Sequence, residues 1–140
     1  MRTFTYVTGV FDLFHAGHLH LLQTAKSLGD YLIVAIHPDY LVEQYKGRKP
    51  IFNEIDRVNI VRSIKFVDEI IIQNELNPLK TVLSLPTYRP LTMVHGDDWL
   101  PIGWDECAKL SNVEVKQIPL LEGYSSSLLV GRIKKMPLKK

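Results

Sequence analysis

The distribution of apolar positions along the chain predicts five strands. Residues 3–8 are β-branched and aromatic, and residues 31–36 form an unbroken apolar run that is too short for most helices. Such a run is typical of a strand buried on both faces of a parallel sheet. Further apolar or alternating segments predict strands over residues 67–72, 91–95 and 113–118.

Apolar residues at helical spacing separate these strands. Leu21, Leu22 and Ala25 predict an amphipathic helix over residues 18–28, and Asn53 is the expected N-cap of the next helix. Shorter or later helices are predicted over residues 78–85, 105–110 and 125–135, whereas the charged segment 39–50 is expected to be a loop. The alternation predicts an α/β fold, Rossmann-like and doubly wound, with a mostly parallel five-stranded sheet and helices on both faces.

Composition narrows the class of protein without identifying it. The 140 residues are 46% hydrophobic and 23% charged, which predicts one domain over residues 1–133 and a flexible basic tail over residues 134–140. A formal net charge of +2 does not favour a nucleic acid or a membrane surface as partner. The single Cys107 excludes an internal disulfide, and the chain shows neither a membrane-spanning apolar run nor a signal peptide. We therefore expect a cytoplasmic protein.

The loop after the first strand carries the chemistry that stands out. Gly9 lets the backbone turn or approach a ligand, and Gly17 lies just before the predicted helix, where free N–H groups favour an anion. His15 and His18 flank Gly17, so both imidazoles can donate hydrogen bonds to a phosphate there. These ligand contacts are predicted for the carboxyl edge of the sheet.

Other interpretations of this loop are weaker. Two surface histidines at a helix start would need no ligand, but they would not explain the Gly-x-Phe-Asp that precedes them. No nearby Cys or Glu completes a zinc site with His15 and His18. The loop also lacks the Gly-Lys-Ser/Thr ending of a phosphate-binding Walker A loop.

Four segments together resemble a known family. Residues 9–22, GVFDLFHAGHLHLL, resemble the signature of the nucleotidyltransferase superfamily, in the form typical of its cytidylyltransferase branch. Residues 65–70 (KFVDEI), 96–99 (GDDW) and 122–127 (EGYSSS) are similar to segments of glycerol-3-phosphate cytidylyltransferases. The match covers almost the whole chain in the same order.

The resemblance implies a reaction and assigns roles to residues. It implies transfer of CMP from CTP to a small phosphorylated alcohol, with glycerol 3-phosphate as the first candidate, and release of pyrophosphate. Triphosphate chemistry in turn implies Mg²⁺ carried by the nucleotide with few protein ligands, and the sequence identifies no metal ligand. It also implies a homodimer, with residues 65–70 near the interface. The implied catalytic residues are His15, His18 and Lys46. The implied nucleotide-binding residues are Gly9, Val10, Phe11, Gly17, Asp97, Tyr124, Ser125, Ser126 and Ser127. The implied acceptor-binding residues are Asp12, Lys46, Lys65 and Trp99.

Several of these residues also have plain structural interpretations. Asp12 and Asp97 have the alternative interpretation of loop or turn carboxylates that accept nearby N–H groups. Lys46 has the alternative interpretation of an exposed loop lysine. One of the three serines is expected simply to cap a helix. Trp99 and Trp104 would either wall a pocket or cover the core. For Arg57, an ion pair is favoured over a ligand contact.

One departure from the family leaves the substrate open. Many members carry Arg-Thr before the Glu-Gly, where this chain has Leu120 and Leu121, so Arg132 or a residue of a partner subunit would have to replace the missing arginine. Two alternatives follow: an adenylyltransferase that uses ATP, for example on FMN, or a nucleotide-binding module without turnover.

Overall fold

Five parallel strands form one sheet in the computed structural model, which describes residues 3–85, 90–96, 101–119 and 121–137. The strands are β1 (Phe4–Gly9), β2 (Tyr31–Ile36), β3 (Glu69–Ile72), β4 (Leu91–Gly96) and β5 (Val113–Ile118). Their spatial order is β3-β2-β1-β4-β5, and every neighbouring pair is parallel. This confirms the predicted doubly wound α/β fold. The chain builds outward from β1 in both directions, so ligands are expected beyond its carboxyl end.

Six helices connect the strands in the described residues. They are α1 (Ala16–Ser27), α2 (Asp39–Lys46), α3 (Glu54–Arg62), α4 (Leu79–Leu83), α5 (Trp104–Ala108) and α6 (Ser126–Lys134). Asn53 caps α3 as predicted, since its side chain accepts a hydrogen bond from the N–H of Asp56 at 2.9 Å. No helix in the described part of the chain is long and apolar enough to span a bilayer.

One element prediction is wrong. Residues 39–46, predicted to be loop, form α2, because Leu41 and Val42 are buried and Gly47 ends the helix in the left-handed conformation at φ 74°. Lys134 is the last residue of α6, within the helix predicted over residues 125–135, and the flexibility of the tail stays a prediction. Both segments therefore present their lysines from ordered helices.

The core lies on both faces of the sheet. Alternate residues of β2 point to opposite sides, so Val34 packs with α1 residue Leu22 while Ile33 packs with α5 residue Trp104. A strand buried on both faces needs an unbroken apolar sequence, which residues 31–36 supply. The sheet therefore holds the ends of its strands rigidly where the candidate site begins.

Candidate active site

The loop between β1 and α1 has a strained backbone. Phe11 and Leu13 are both left-handed, at φ 56° and 51°, although neither is glycine. Such conformations persist only where the surroundings determine them. Phe11 is held because its side chain is buried in the core.

Asp12 supplies the other restraint on this loop. Its carboxylate accepts hydrogen bonds from the N–H groups of Leu13 at 3.1 Å, Ile51 at 2.7 Å and Phe52 at 2.9 Å. Ser126 donates its hydroxyl proton to the carbonyl oxygen of Asp12 at 2.8 Å. Asp12 therefore joins three distant segments, which is the structural interpretation of this residue. Its contact with an acceptor stays a prediction.

His15 and His18 are oriented by hydrogen bonds to the backbone. The N–H of Gly17 donates to Nδ1 of His15 at 3.0 Å, and the N–H of His15 donates to Nδ1 of His18 at 3.1 Å. A backbone N–H can only donate, so both Nδ1 atoms accept and each neutral ring carries its proton on Nε2. The rings stack with centroids 3.8 Å apart. Helix α1 thus begins with two stacked imidazoles inclined at 29°, whose Nε2–H groups donate no hydrogen bond within the described part of the chain.

The environment keeps both rings uncharged. Burial, followed by the neighbouring His15, lowers the pKa of His18 to about 4 despite the nearby Asp12 carboxylate. Burial also lowers the pKa of His15. At neutral pH the two imidazoles are therefore available as N–H donors rather than as two cations.

Gly17 is required by the packing around His15. A Cβ atom at this position would lie 2.8 Å from Cε1 of His15 and 2.9 Å from Cβ of Tyr124.

We expect Gly17→Ala to turn the His15 ring and to lower kcat at least tenfold. The helix itself should not be weakened, because alanine has a higher helix propensity than glycine. Steady-state kinetics with circular dichroism checks this, and an unchanged kcat in the folded variant would contradict the crowding.

A cavity of about 670 Å³ opens beyond the carboxyl end of β1, and we call it the β1 cavity. Its walls come from the end of β1 and the following loop, from α1 and α2, from the segment before α3, and from α6. The wall residues with candidate roles are Gly9, Val10, Phe11, Asp12, His18, Lys46, Ser126 and Ser127. Most of the predicted site therefore meets in one place.

Positive charge lines this cavity on two sides. Lys46, at the end of α2, lies with Arg48 and Lys49 on one side, and Lys134 of α6 lies in the same lining. These four residues are called the cation cluster below. Burial and the neighbouring Arg48 lower the pKa of Lys46, partly offset by Asp12. Among the described residues, none of the four forms an ion pair with a carboxylate.

Arg57 is buried beneath the site and binds four groups. Its guanidinium donates to the carbonyl oxygens of Val10 and His37, each at 2.8 Å, and of Phe52 at 3.1 Å. It also pairs with the carboxylate of Asp39 at 2.7 Å. The ion pair favoured from the sequence is confirmed. Arg57 joins the ends of β1 and β2 to the starts of α2 and α3.

The three serines of the final turn have different contacts. Ser125 caps α6 by accepting from the N–H of Leu128 at 3.1 Å, Ser126 binds the carbonyl of Asp12, and Ser127 lines the β1 cavity. Tyr124 lies outside this lining, with its ring parallel to that of His15 at 6.2 Å between centroids. Phosphate binding by these residues stays a prediction.

Other predicted residues lie elsewhere. Lys65 is exposed in the segment that leads into β3, at the amino edge of the sheet, so this chain does not bring it to the β1 cavity. Asp97, Trp99 and Leu120 lie outside the described residues. Trp104 is buried against the core rather than in the cavity wall. That residues 65–70 form a homodimer interface stays a prediction.

Two histidines at strand ends were missed from the sequence. His37 follows β2 and shares a hydrogen bond with the Tyr45 hydroxyl at 2.9 Å, while His95 is the penultimate residue of β4 and lies beside Trp104. Both are buried, and their Nε2 atoms have no partner among the described residues. The rule that polar residues at carboxyl ends of parallel strands face the ligand edge would have indicated both.

The lowered pKa values make stability depend on pH. Burial lowers the pKa of His37 to about 4, as it does for His18. In the unfolded chain both imidazoles return to the ordinary pKa of 6.5. Between about pH 4 and 6.5 the unfolded state therefore binds more protons than the folded state. The free energy of unfolding should therefore rise with pH across this window. Urea titrations at several pH values check this, and His37→Asn should reduce the slope. A slope that His37→Asn leaves unchanged would contradict the assignment.

Comparisons with known proteins agree with this geometry. A sequence model described as cytidylyltransferase-like matches residues 6–136. The chain is 38% identical over 133 residues to the bifunctional protein HldE of Helicobacter pylori, covering 93% of this chain and 27% of that protein. It is 41% identical over 99 residues to the ethanolamine-phosphate cytidylyltransferase of Dictyostelium discoideum, covering 70% of this chain and 27% of that protein. The chain thus spans about a quarter of the length of these relatives.

A solved structure shares the fold over most of the chain. The lipopolysaccharide core biosynthesis protein of Thermoplasma volcanium superposes with a TM-score of 0.73 at 29% identity, covering 87% of this chain and all of that one.

Proposed function

The chain belongs to the cytidylyltransferase-like family of nucleotidyltransferases, and from that premise we propose that it transfers CMP from CTP to a small phosphorylated alcohol. A phosphate oxygen of the acceptor attacks the α-phosphorus of CTP. The bond from that phosphorus to its bridging oxygen breaks, and pyrophosphate leaves with the electron pair. Such a reaction needs alignment and charge neutralisation more than covalent catalysis.

The observation that carries this proposal is the fixed histidine pair beside a cation-lined cavity. The two Nε2–H donors are set before any ligand arrives, because both Nδ1 atoms are occupied by backbone N–H groups. Preorganised donors stabilise the charge that develops on the α-phosphate in the transition state. The cation cluster supplies charge for phosphates on either side of the reacting atom.

We also propose that a magnesium ion arrives with the nucleotide and is held mainly by its phosphates. Asp12 is the acidic side chain in the described lining, and its oxygens already accept three N–H groups. The described residues also contain no group of three or more potential metal ligands. Mg²⁺ bound to the triphosphate would supply charge neutralisation there.

The class of acceptor is proposed from the charge that lines the cavity. Four cations around the β1 cavity favour an acceptor that carries its own phosphate. Glycerol 3-phosphate is the first candidate from the sequence, and ethanolamine phosphate is supported by the name of the Dictyostelium relative.

A crossed substrate panel tests the proposal. The purified chain with Mg²⁺ would be given CTP or ATP together with glycerol 3-phosphate, ethanolamine phosphate, choline phosphate or a sugar phosphate, and pyrophosphate release would be measured. We expect release with CTP and one of the phospho-alcohols. Release with ATP and not with CTP would contradict the proposed nucleotide. If no combination of nucleotide and acceptor released pyrophosphate, enzymatic turnover by this chain would be contradicted.

A further inference from the structure

One face of α6 is turned towards the β1 cavity. The residues of α6 in the lining are Ser126, Ser127, Val130, Gly131 and Lys134. Their spacing of three, four and seven or eight residues places them on a single helical stripe. Arg132 lies about 200° around the helix from Val130 at 100° per residue, and it is absent from the lining. The arginine named from sequence as a replacement for the missing one therefore points elsewhere.

Gly131 leaves space on this face. Apart from its chain neighbours and the backbone of α6, a Cβ atom added there would meet no described atom within 4 Å. A glycine inside a helix destabilises it by roughly 0.5–1 kcal/mol relative to alanine, so packing within the chain does not account for it. Helical side chains lean towards the helix N-terminus, and that of Lys134 therefore leans over the turn that contains Gly131. The missing side chain gives the ammonium group a path into the cavity.

The charges around this space are mostly positive. Lys134 shares the cavity with Lys46, Arg48 and Lys49, whereas Asp12, which partly offsets the charge beside Lys46, is the acidic side chain in the described lining. Positive charges that line one cavity repel one another unless an anion binds between them. The anion that fits such a cluster is a phosphate group.

Position along α6 indicates which phosphate this is. In the proposed reaction the histidine pair binds the α-phosphate, and the N-terminus of α6, where Ser126 lies, binds the β- and γ-phosphates. Lys134 is eight residues further on, which corresponds to about 12 Å along the helix axis. In-line displacement places the attacking phosphate on the side of the α-phosphorus opposite the departing pyrophosphate. With the pyrophosphate at the start of α6, the acceptor phosphate therefore lies further along this helix, towards Lys134.

We propose that Lys134 binds the phosphate group of the acceptor and that the gap at Gly131 makes room for this contact. This inference rests on the proposed function, because it assigns the second substrate of that reaction to one end of the site. It makes Lys134 a residue that determines acceptor affinity, and it gives α6 one substrate at each end.

Matched lysine and arginine variants test the kinetic part. Lys134→Gln should raise KM for the acceptor at least tenfold while kcat and KM for CTP change less than threefold. Lys134→Arg should restore most of the acceptor affinity because it keeps the charge. Arg132→Gln removes the same charge from the same helix on another face and should leave the kinetics unchanged. An unchanged acceptor KM in Lys134→Gln, or an equal change in Arg132→Gln, would overturn the proposal.

Binding of inorganic phosphate tests the site without turnover. In calorimetric titrations at low salt, Lys134→Gln should weaken phosphate binding at least fivefold, whereas Arg132→Gln should not. If the native chain turns over no substrate pair but this difference is measured, the phosphate site stands and the reaction fails. If turnover is measured but the two variants bind phosphate equally, the reaction stands and the site assignment is wrong.

Discussion

His15→Asn and His18→Ala should each lower kcat by roughly 10²–10³-fold, the usual loss when one preorganised donor to a developing oxyanion is removed. The His15 substitution separates catalysis from helix stability, whereas His18→Ala also removes the acceptor of the His15 N–H. His15 caps α1 through Nδ1, and asparagine is itself a favourable N-cap that keeps an acceptor in that place while it removes the Nε2–H donor. Single-turnover measurements of pyrophosphate release compare the chemical step in each variant.

The control for the histidine variants is on the same helix. His20 lies two residues beyond His18 on α1 and does not line the β1 cavity. His20→Ala should therefore keep kcat within about threefold of the native value. If His15→Asn and His18→Ala also kept native kcat with a native circular dichroism spectrum, the histidine pair would not act in the reaction.

Arg57→Met should lower the free energy of unfolding by about 3 kcal/mol, mainly because three carbonyl oxygens lose their buried donor. The Asp39 carboxylate is 34% exposed, so water partly replaces its lost partner. The substitution leaves three carbonyl oxygens and the Asp39 carboxylate without the guanidinium that binds them. Arg57→Lys should recover only part of this loss, because one ammonium group cannot reach four acceptors in the geometry of a planar guanidinium. Urea unfolding followed by circular dichroism measures both variants.

An exposed arginine on the same helix provides the comparison for Arg57. Arg62 lies at the end of α3, where its guanidinium contacts the side chain of Asn59 at 3.4 Å. Arg62→Met should change the free energy of unfolding by less than about 0.5 kcal/mol, as is usual for surface positions. Equal losses in the Arg57 and Arg62 variants would show that the buried contacts do not stabilise the fold.

The predictable part of the fold is its buried strands. Residues 31–36 and 113–118 were predicted to the residue, since apolar or alternating runs bounded by turn residues have few other solutions. Helix α2 was missed because its buried face consists of little more than Leu41 and Val42 in a charged segment. Its stability comes from tertiary burial, which a local pattern does not contain.

The site was predictable where its residues are close in sequence. His15, Gly17 and His18 were identified from the spacing around a helix start, although histidine as the N-cap was not expected from usual capping preferences. The partners of Asp12 lie 39 and 40 residues away, and Ser126 lies 114 residues away. Such contacts depend on how the sheet brings loops together, so the place of Lys134 in the lining also emerged only from the fold.

Helix α6 has no buried residue, although it forms one wall of the β1 cavity. Substitutions on its cavity face therefore alter the lining without forcing a rearrangement of the core, which is the usual cost of changing a site. The histidine pair, by contrast, is set by a loop that Arg57 and Asp12 bind into the interior. Under the proposed reaction, acceptor preference can thus change through substitutions on the cavity face of α6 while the histidine pair stays intact, and this helix is the place to begin in engineering it.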